Sequence, residues 1–188
     1  MDPPPESILP RPGVELRRER VGDADALAAG VAASRVDLVA WMPWAADDRA
    51  VDPDHQRARL AEAVQRWDDG AEFVYVIVVT GEVVGCMGLH PRIGPGGIEV
   101  GYWLRSDHTG QGVVTACAGA LTAAAVALPG IERVEIHCDL ANARSAAVPR
   151  RLGYRLARLE PTPVTAAGTA RAETGRSMVW VWPPEQAG

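Results

Sequence analysis

The chain has 188 residues, 47% of them apolar, and 19 basic against 24 acidic side chains give a net charge of −5. That composition excludes a disordered chain and leaves room for one core, but it is short for two domains. No basic run offers a footprint for nucleic acid, and no apolar run approaches the roughly 20 residues of a membrane span, so neither is an expected partner.

In chain order, "MDPPPESILPRPG" carries five prolines and no positive segment ahead of an apolar core, so it is no signal peptide. We read residues 1–12 as a flexible arm and 13–188 as a single domain. "VELRRER" predicts a first strand. "GDADALAAGVAASRVDLVAWM" has helical apolar spacing, with Asp23 as its N-cap. "DPDHQRARLAEAVQRWDDG" predicts a second helix, capped by Asp52, with Pro53 at its first position and Gly70 just past its end. "EFVYVIVV", "VVGCMGLHPRI" and "GIEVGYWLRS" follow as a three-strand meander joined by Gly-rich turns.

"HTGQGVVTACAGALTAAAVAL" then turns from a glycine loop into a helix, with no charged side chain from Thr109 to Gly130. A helix without charge on any side packs on more than one face. "ERVEIHCDL" alternates as a strand. "NARSAAVPRRLGY" predicts a short helix that Pro149 must kink or delay. "RLARLE" and "SMVWVW" close the sheet, and "PTPVTAAGTARAETG" between them reads as a mobile loop. The order βααβββαβαββ predicts an α/β (α+β) sandwich with a mixed, mostly antiparallel sheet. Cys86, Cys117 and Cys138 are odd in number and sit in apolar segments, as in a reduced, cytoplasmic protein. The four histidines show no metal-ligand spacing, so no metal is expected.

A strand running through glycines into a helix aims backbone N–H groups at one point, where the helix dipole also favours an anion. Gly110 and Gly112 would let that anion approach the backbone. The loop lacks the lysine of GxxxxGK[ST] and the third glycine of GxGxxG. By itself it reads equally as a phosphate cradle or a tight turn.

"TGQGVV", "IEVGYWL", "RVEIHCDLANARSAAVPRRLGY" and "WMPW" together resemble the GNAT superfamily of CoA-dependent N-acyltransferases, in its RimJ/RimL-type branch. The resemblance spans residues 14–182. It departs from the family signature [QR]xxGx[GA] at Thr109 and Val114. It implies a GNAT-like sheet with a splayed central strand pair and an acyl-CoA co-substrate, acetyl-CoA or succinyl-CoA. The backbone around Gly110, Gln111, Gly112, Val113, Val114 and Thr115 would wrap the CoA pyrophosphate. Backbone groups of Tyr102, Trp103 and Leu104 would pair with pantetheine, and Asn142 and Ser145 would face the pantetheine and its sulfur. Arg105 is placed to help with the phosphates. Such proteins often form homo-oligomers.

Acyl transfer from a thioester to an amine needs an acceptor proton removed, an oxyanion stabilised and a thiolate protonated. Glu99 shares a strand face with Gly101 and Trp103, and as a carboxylate in a cleft it is the candidate base, with a raised pKa expected. Many superfamily members carry a tyrosine acid where this chain has Pro149, so Ser145 is the substitute donor the resemblance implies. His90 and His137 could assist, and Tyr154 reads as core. Trp41 and Trp44, with His90, are candidates to line the acceptor mouth. Where ribosomal-protein acetylating relatives often carry Glu, this chain has Ala157, which argues against a ribosomal acceptor. Arg150 or Arg151 would suit a carboxylated acyl chain. The expected acceptor is a primary amine of a small molecule or a protein. The alternatives are a non-catalytic acyl-CoA sensor or scaffold and a nucleotide-dependent oxidoreductase.

Overall fold

The computed structural model describes residues 1–162 and 168–183. Eight strands form one sheet in the order β1-β2-β3-β4-β5-β6-β8-β7. They are β1 (Ser7–Arg11), β2 (Val14–Arg18), β3 (Phe73–Val79), β4 (Glu82–His90), β5 (Gly97–Leu104), β6 (Arg133–Asp139), β7 (Arg155–Pro161) and β8 (Arg176–Trp182). Every neighbouring pair is antiparallel except β5 and β6. The helices are α1 (Ala24–Val39), α2 (Pro53–Asp68), α3 (Val113–Val126) and α4 (Ala143–Arg151). The mobile loop expected between the last strands lies partly outside the described residues, at 163–167.

The proline-rich start is not an arm throughout. Ser7–Arg11 is an edge strand on β2, and the Tyr75 hydroxyl donates to the Pro5 carbonyl at 2.8 Å. Pro10 is tolerated because an edge strand needs only half its backbone groups paired. Asp52 caps α2 as expected, accepting from the Asp54 N–H at 3.0 Å. Asp23 precedes α1 but makes no side-chain cap to it. Its carboxylate takes the Arg20 N–H at 2.7 Å and the Arg17 guanidinium instead.

The sheet's two faces have different work. Ile98, Val100 and Tyr102 point into the main core beneath α3, with Val134, Ile136 and Cys138 beside them. Glu99, Gly101 and Trp103 point the other way, and Trp103 packs against the α1–α2 layer. Along α3, Cys117, Ala118, Leu121 and Ala125 are fully buried, but Ala116, Gly119 and Ala120 border an open cavity. The uncharged helix therefore has one face in the core and one against a cleft.

One irregularity places the site. The parallel pairing of β5 with β6 covers Gly97↔Arg133, Ile98↔Val134 and Glu99↔Glu135, and then stops. Residues 100–104 continue β5 with no partner on that side. Strands that splay leave N–H and C=O groups that an extended ligand can satisfy.

Candidate active site

Two cavities border this gap. One, of about 1250 Å³, lies between the glycine loop, α3 and α4. The other, of about 960 Å³, lies on the opposite sheet face beneath the segment after α1. Trp41, Met42, Tyr102, Trp103, Asn142 and Ser145 line both.

The larger cavity has no carboxylate among its lining residues except Asp37, and Arg144 and Arg151 border it. Gly112 is the N-cap of α3, at φ +73°, in the left-handed region that L side chains avoid. No side chain caps this helix, so the first-turn N–H groups remain free for an anion. Gly110, Gly112, Val113, Val114 and Thr115 line the cavity together with Tyr102, Trp103, Leu104, Asn142 and Ser145. Gln111 does not: its side chain folds back to the Asp107 carbonyl at 3.1 Å. Its own carbonyl accepts from Arg11 Nη2 at 3.1 Å, a contact from β1 that the sequence pattern does not signal. Arg105 is not among the cavity's lining residues; Asp107 and Glu82 hold its guanidinium, which also meets His108 Nε2 at 3.2 Å. Arg150 is likewise occupied, stacked 5.6 Å over the Trp180 ring.

Pro149 does sit inside α4. It has no N–H to give the carbonyl of Ser145, four residues earlier. The Tyr102 hydroxyl takes that place, 3.2 Å from the Ser145 carbonyl and 3.0 Å from its Oγ. This contact ties β5 to α4 across the gap. Burial raises the Tyr102 pKa well above the ordinary phenol value, although Ser145 opposes it, so the phenol stays neutral. Asn142 caps α4, its Oδ1 accepting the Ser145 N–H at 3.0 Å. Tyr154, read as core, is buried with its hydroxyl 2.5 Å from Thr122 Oγ1, and burial pushes its pKa up to about 12.

The smaller cavity is charged. His90 on β4 and Glu99 on β5, register partners on one sheet face, line it, and Glu135 on β6, the register partner of Glu99, lies buried beside them. Glu99 is 8% exposed and clamped by Arg92, with Nε at 2.8 Å and Nη2 at 2.7 Å. This corrects the expected raised pKa. Burial does push it up, but the bidentate Arg92 and the more distant His137 and His90 outweigh burial and hold Glu99 below the usual value. Glu135 is anchored by Arg133 at 3.0 Å, His137 Nε2 at 2.6 Å and Arg158 at 3.3 Å. Glu72, just before β3, meets His90 Nδ1 at 2.5 Å and Arg66 at 3.0 Å. Trp41 and Trp44 form part of the wall, and Trp44 meets Trp103 edge-on at 6.2 Å.

The His90 contact, opposed by burial, lowers the Glu72 pKa to about 2. A depressed carboxylate contributes stability that is present above its ordinary pKa of 4.5 and lost as pH falls through the folded value. Between pH 4.5 and about 2, the Tm of the wild type should therefore fall more steeply than that of Glu72→Gln. Parallel slopes in thermal melts would remove the pair from the stability account.

The model of the acetyltransferase (GNAT) domain matches residues 14–155. This chain belongs to the GNAT acetyltransferase family. No curated protein matches the sequence closely enough to add to that. Among solved structures, the microcin C7 self-immunity acetyltransferase MccE, in complex with acetyl-CoA and AMP, superposes with a TM-score of 0.83 at 17% identity, over 94% of this chain and 96% of that one. RimL, a ribosomal L7/L12 α-N-protein acetyltransferase in complex with coenzyme A, gives 0.79 at 22% identity over 94% and 97%. Mycobacterium smegmatis RimJ, in complex with a CoA disulfide, gives 0.79 at 22% identity over 89% and 80%. At these identities the likeness establishes the fold. The protein is thus a GNAT N-acetyltransferase with a mixed eight-stranded sheet, similar in structure to the RimJ/RimL enzymes. Among the described residues no cluster of His, Cys, Asp or Glu could hold a metal ion, and no helix is long and apolar enough to cross a membrane.

Proposed function

We propose that the protein transfers an acetyl group from acetyl-CoA to a primary amine by direct attack, with the donor and acceptor entering from opposite sheet faces. The observation that carries this reading is that two cavities share Tyr102, Trp103, Asn142 and Ser145 as lining where β5 loses its pairing with β6. The free N–H groups around residues 110–115 hold the pyrophosphate, and Arg144 and Arg151 add positive charge at the same mouth. Pantetheine lies along the unpaired edge of Tyr102, Trp103 and Leu104. The thioester then sits near Gly101, where the strands separate.

The acceptor ammonium reaches it through the charged chamber, past Trp41 and Trp44. Glu99, ionised and clamped, offers a fixed negative charge to that ammonium rather than a base of matched pKa. The deprotonated amine forms the new N–C bond, the C–S bond breaks with its electron pair going to sulfur, the thiolate takes a proton from Ser145 Oγ, and the second proton shed by the acylated nitrogen restores the serine hydroxyl. Tyr102 orients Ser145 through its hydroxyl.

The chamber has about 960 Å³ of room, enough for a small amine or the first residues of a peptide. The test presents acetyl-CoA and succinyl-CoA to the purified protein with short peptides bearing free amino termini, Nα-blocked lysine and simple aliphatic amines. Mass spectrometry should find an acetylated amine and free CoA. Succinylation alone would replace the donor assignment. Tight CoA binding with no product from any amine would favour a sensor or scaffold.

A further inference from the structure

We propose that His90, oriented by Glu72, is the general base that takes the proton from the acceptor amine; this rests on the acetyltransferase reading above. Three observations converge on it. First, Glu72 Oε1 meets Nδ1 at 2.5 Å; a carboxylate oxygen accepts, so Nδ1 carries a proton and, in the neutral ring, Nε2 carries the lone pair. Second, Nε2 lies over two glycines that face each other across β4 and β5. A Cβ on Gly88 would be 2.8 Å from Nε2, and one on Gly101 would be 3.1 Å away. Any side chain at either position would collide with the ring or push it off the sheet. Third, Gly101 lies just beyond Glu99, where β5 loses its pairing with β6. The free nitrogen therefore sits beside the opening through which amine and thioester must meet, and His90 lines the acceptor chamber.

The charges around the ring are distributed for this role. Glu72 faces Nδ1, with Arg66 of α2 behind it. Glu99 on β5 is the register partner of His90, and Arg92 after β4 neutralises it. On β6, His137 is held at Nε2 by Glu135, which Arg133 and Arg158 also hold; it lines the same chamber, but only the His90 ring comes within 4 Å of a Cβ on Gly101. Glu99 and Glu135 are thus tied up in ion pairs, whereas His90 keeps a nitrogen open to the chamber. In the reaction, Nε2 accepts one proton from the ammonium, the amine attacks, and the imidazolium returns that proton to solvent after CoA leaves.

The test uses the full chain, acetyl-CoA and the panel amine that releases most CoA. An imidazole must be neutral to accept a proton, so the wild-type kcat/KM should fall as pH is lowered and reach a plateau above that limb. His90→Asn should lower kcat at neutral pH by about 10²- to 10⁴-fold with unchanged CoA affinity. Its rate should rise with pH in proportion to the free amine, without the plateau, and added imidazole should restore part of it. Glu72→Gln should cost less and displace the acid limb. A His90→Asn enzyme with wild-type rate and profile would overturn the proposal. If His90→Asn does not fold, judged by the absence of a CoA-induced thermal shift, a Glu72→Gln profile identical to wild type overturns it instead. A wild type that acetylates no amine defeats the functional reading itself, and with it the base.

Discussion

Ser145→Ala should lower kcat by about 10²-fold or more, with the KM for acetyl-CoA near its wild-type value. The thiolate needs a proton as the C–S bond breaks, and Ser145 Oγ is the hydroxyl we place beside the sulfur. The geometry around it has a traceable cause. Pro149 withholds the helical N–H that would normally occupy the Ser145 carbonyl. Tyr102 then donates to that carbonyl or shares its proton with Oγ, at 3.2 and 3.0 Å. Tyr102→Phe should leave the carbonyl short of a donor, which costs about 1–3 kcal/mol for a buried acceptor. Its effect on kcat should be smaller than that of Ser145→Ala, because Tyr102 acts only through the serine. Adding Pro149→Ala to Tyr102→Phe supplies a helical N–H and should recover part of the stability in chemical denaturation. If Ser145→Ala raises KM and spares kcat, the serine binds pantetheine and some other group protonates the thiolate.

Gly112→Val should weaken CoA binding by at least about 100-fold, the loss of two charge-assisted hydrogen bonds at roughly 1.5–3 kcal/mol each. The effect does not come from crowding within the chain. The nearest heavy atom to an added Cβ would be Arg11 Nη1, at 3.7 Å. It comes from φ +73°, which a β-branched side chain disfavours strongly, and from the approach of the ligand to the backbone. The loop would relax toward a right-handed conformation and swing its N–H groups off the anion. Pantetheine lacks the pyrophosphate, so its weaker binding should hardly change. Calorimetry showing equal losses for CoA and pantetheine would move the pyrophosphate away from this loop.

Much of this site is written in local sequence. Strand alternation assigns Glu99, Gly101 and Trp103 to one face, and the structure places them there. The glycine loop announces itself because only glycine adopts positive φ cheaply, and Gly110 and Gly112 both do so. Other features were out of reach. The arm's conversion into β1 depends on the open edge of β2, which no pattern in "SILPR" reveals. The lowered pKa of Glu99 is not legible locally because its partner, Arg92, lies across a turn. Burial and a facing guanidinium act in opposite directions on a carboxylate, and the sequence shows neither distance.

The sequence by itself determined the elements, their order and the glycine loop, because these follow from periodicity and backbone sterics within a few residues. Only the tertiary structure decided where β5 parts from β6, which carboxylates are neutralised, and which histidine ring lies over the Gly88–Gly101 pair. Each of those is a contact between segments far apart in the chain. Its energy depends on a distance of a few ångströms that local spacing leaves undetermined.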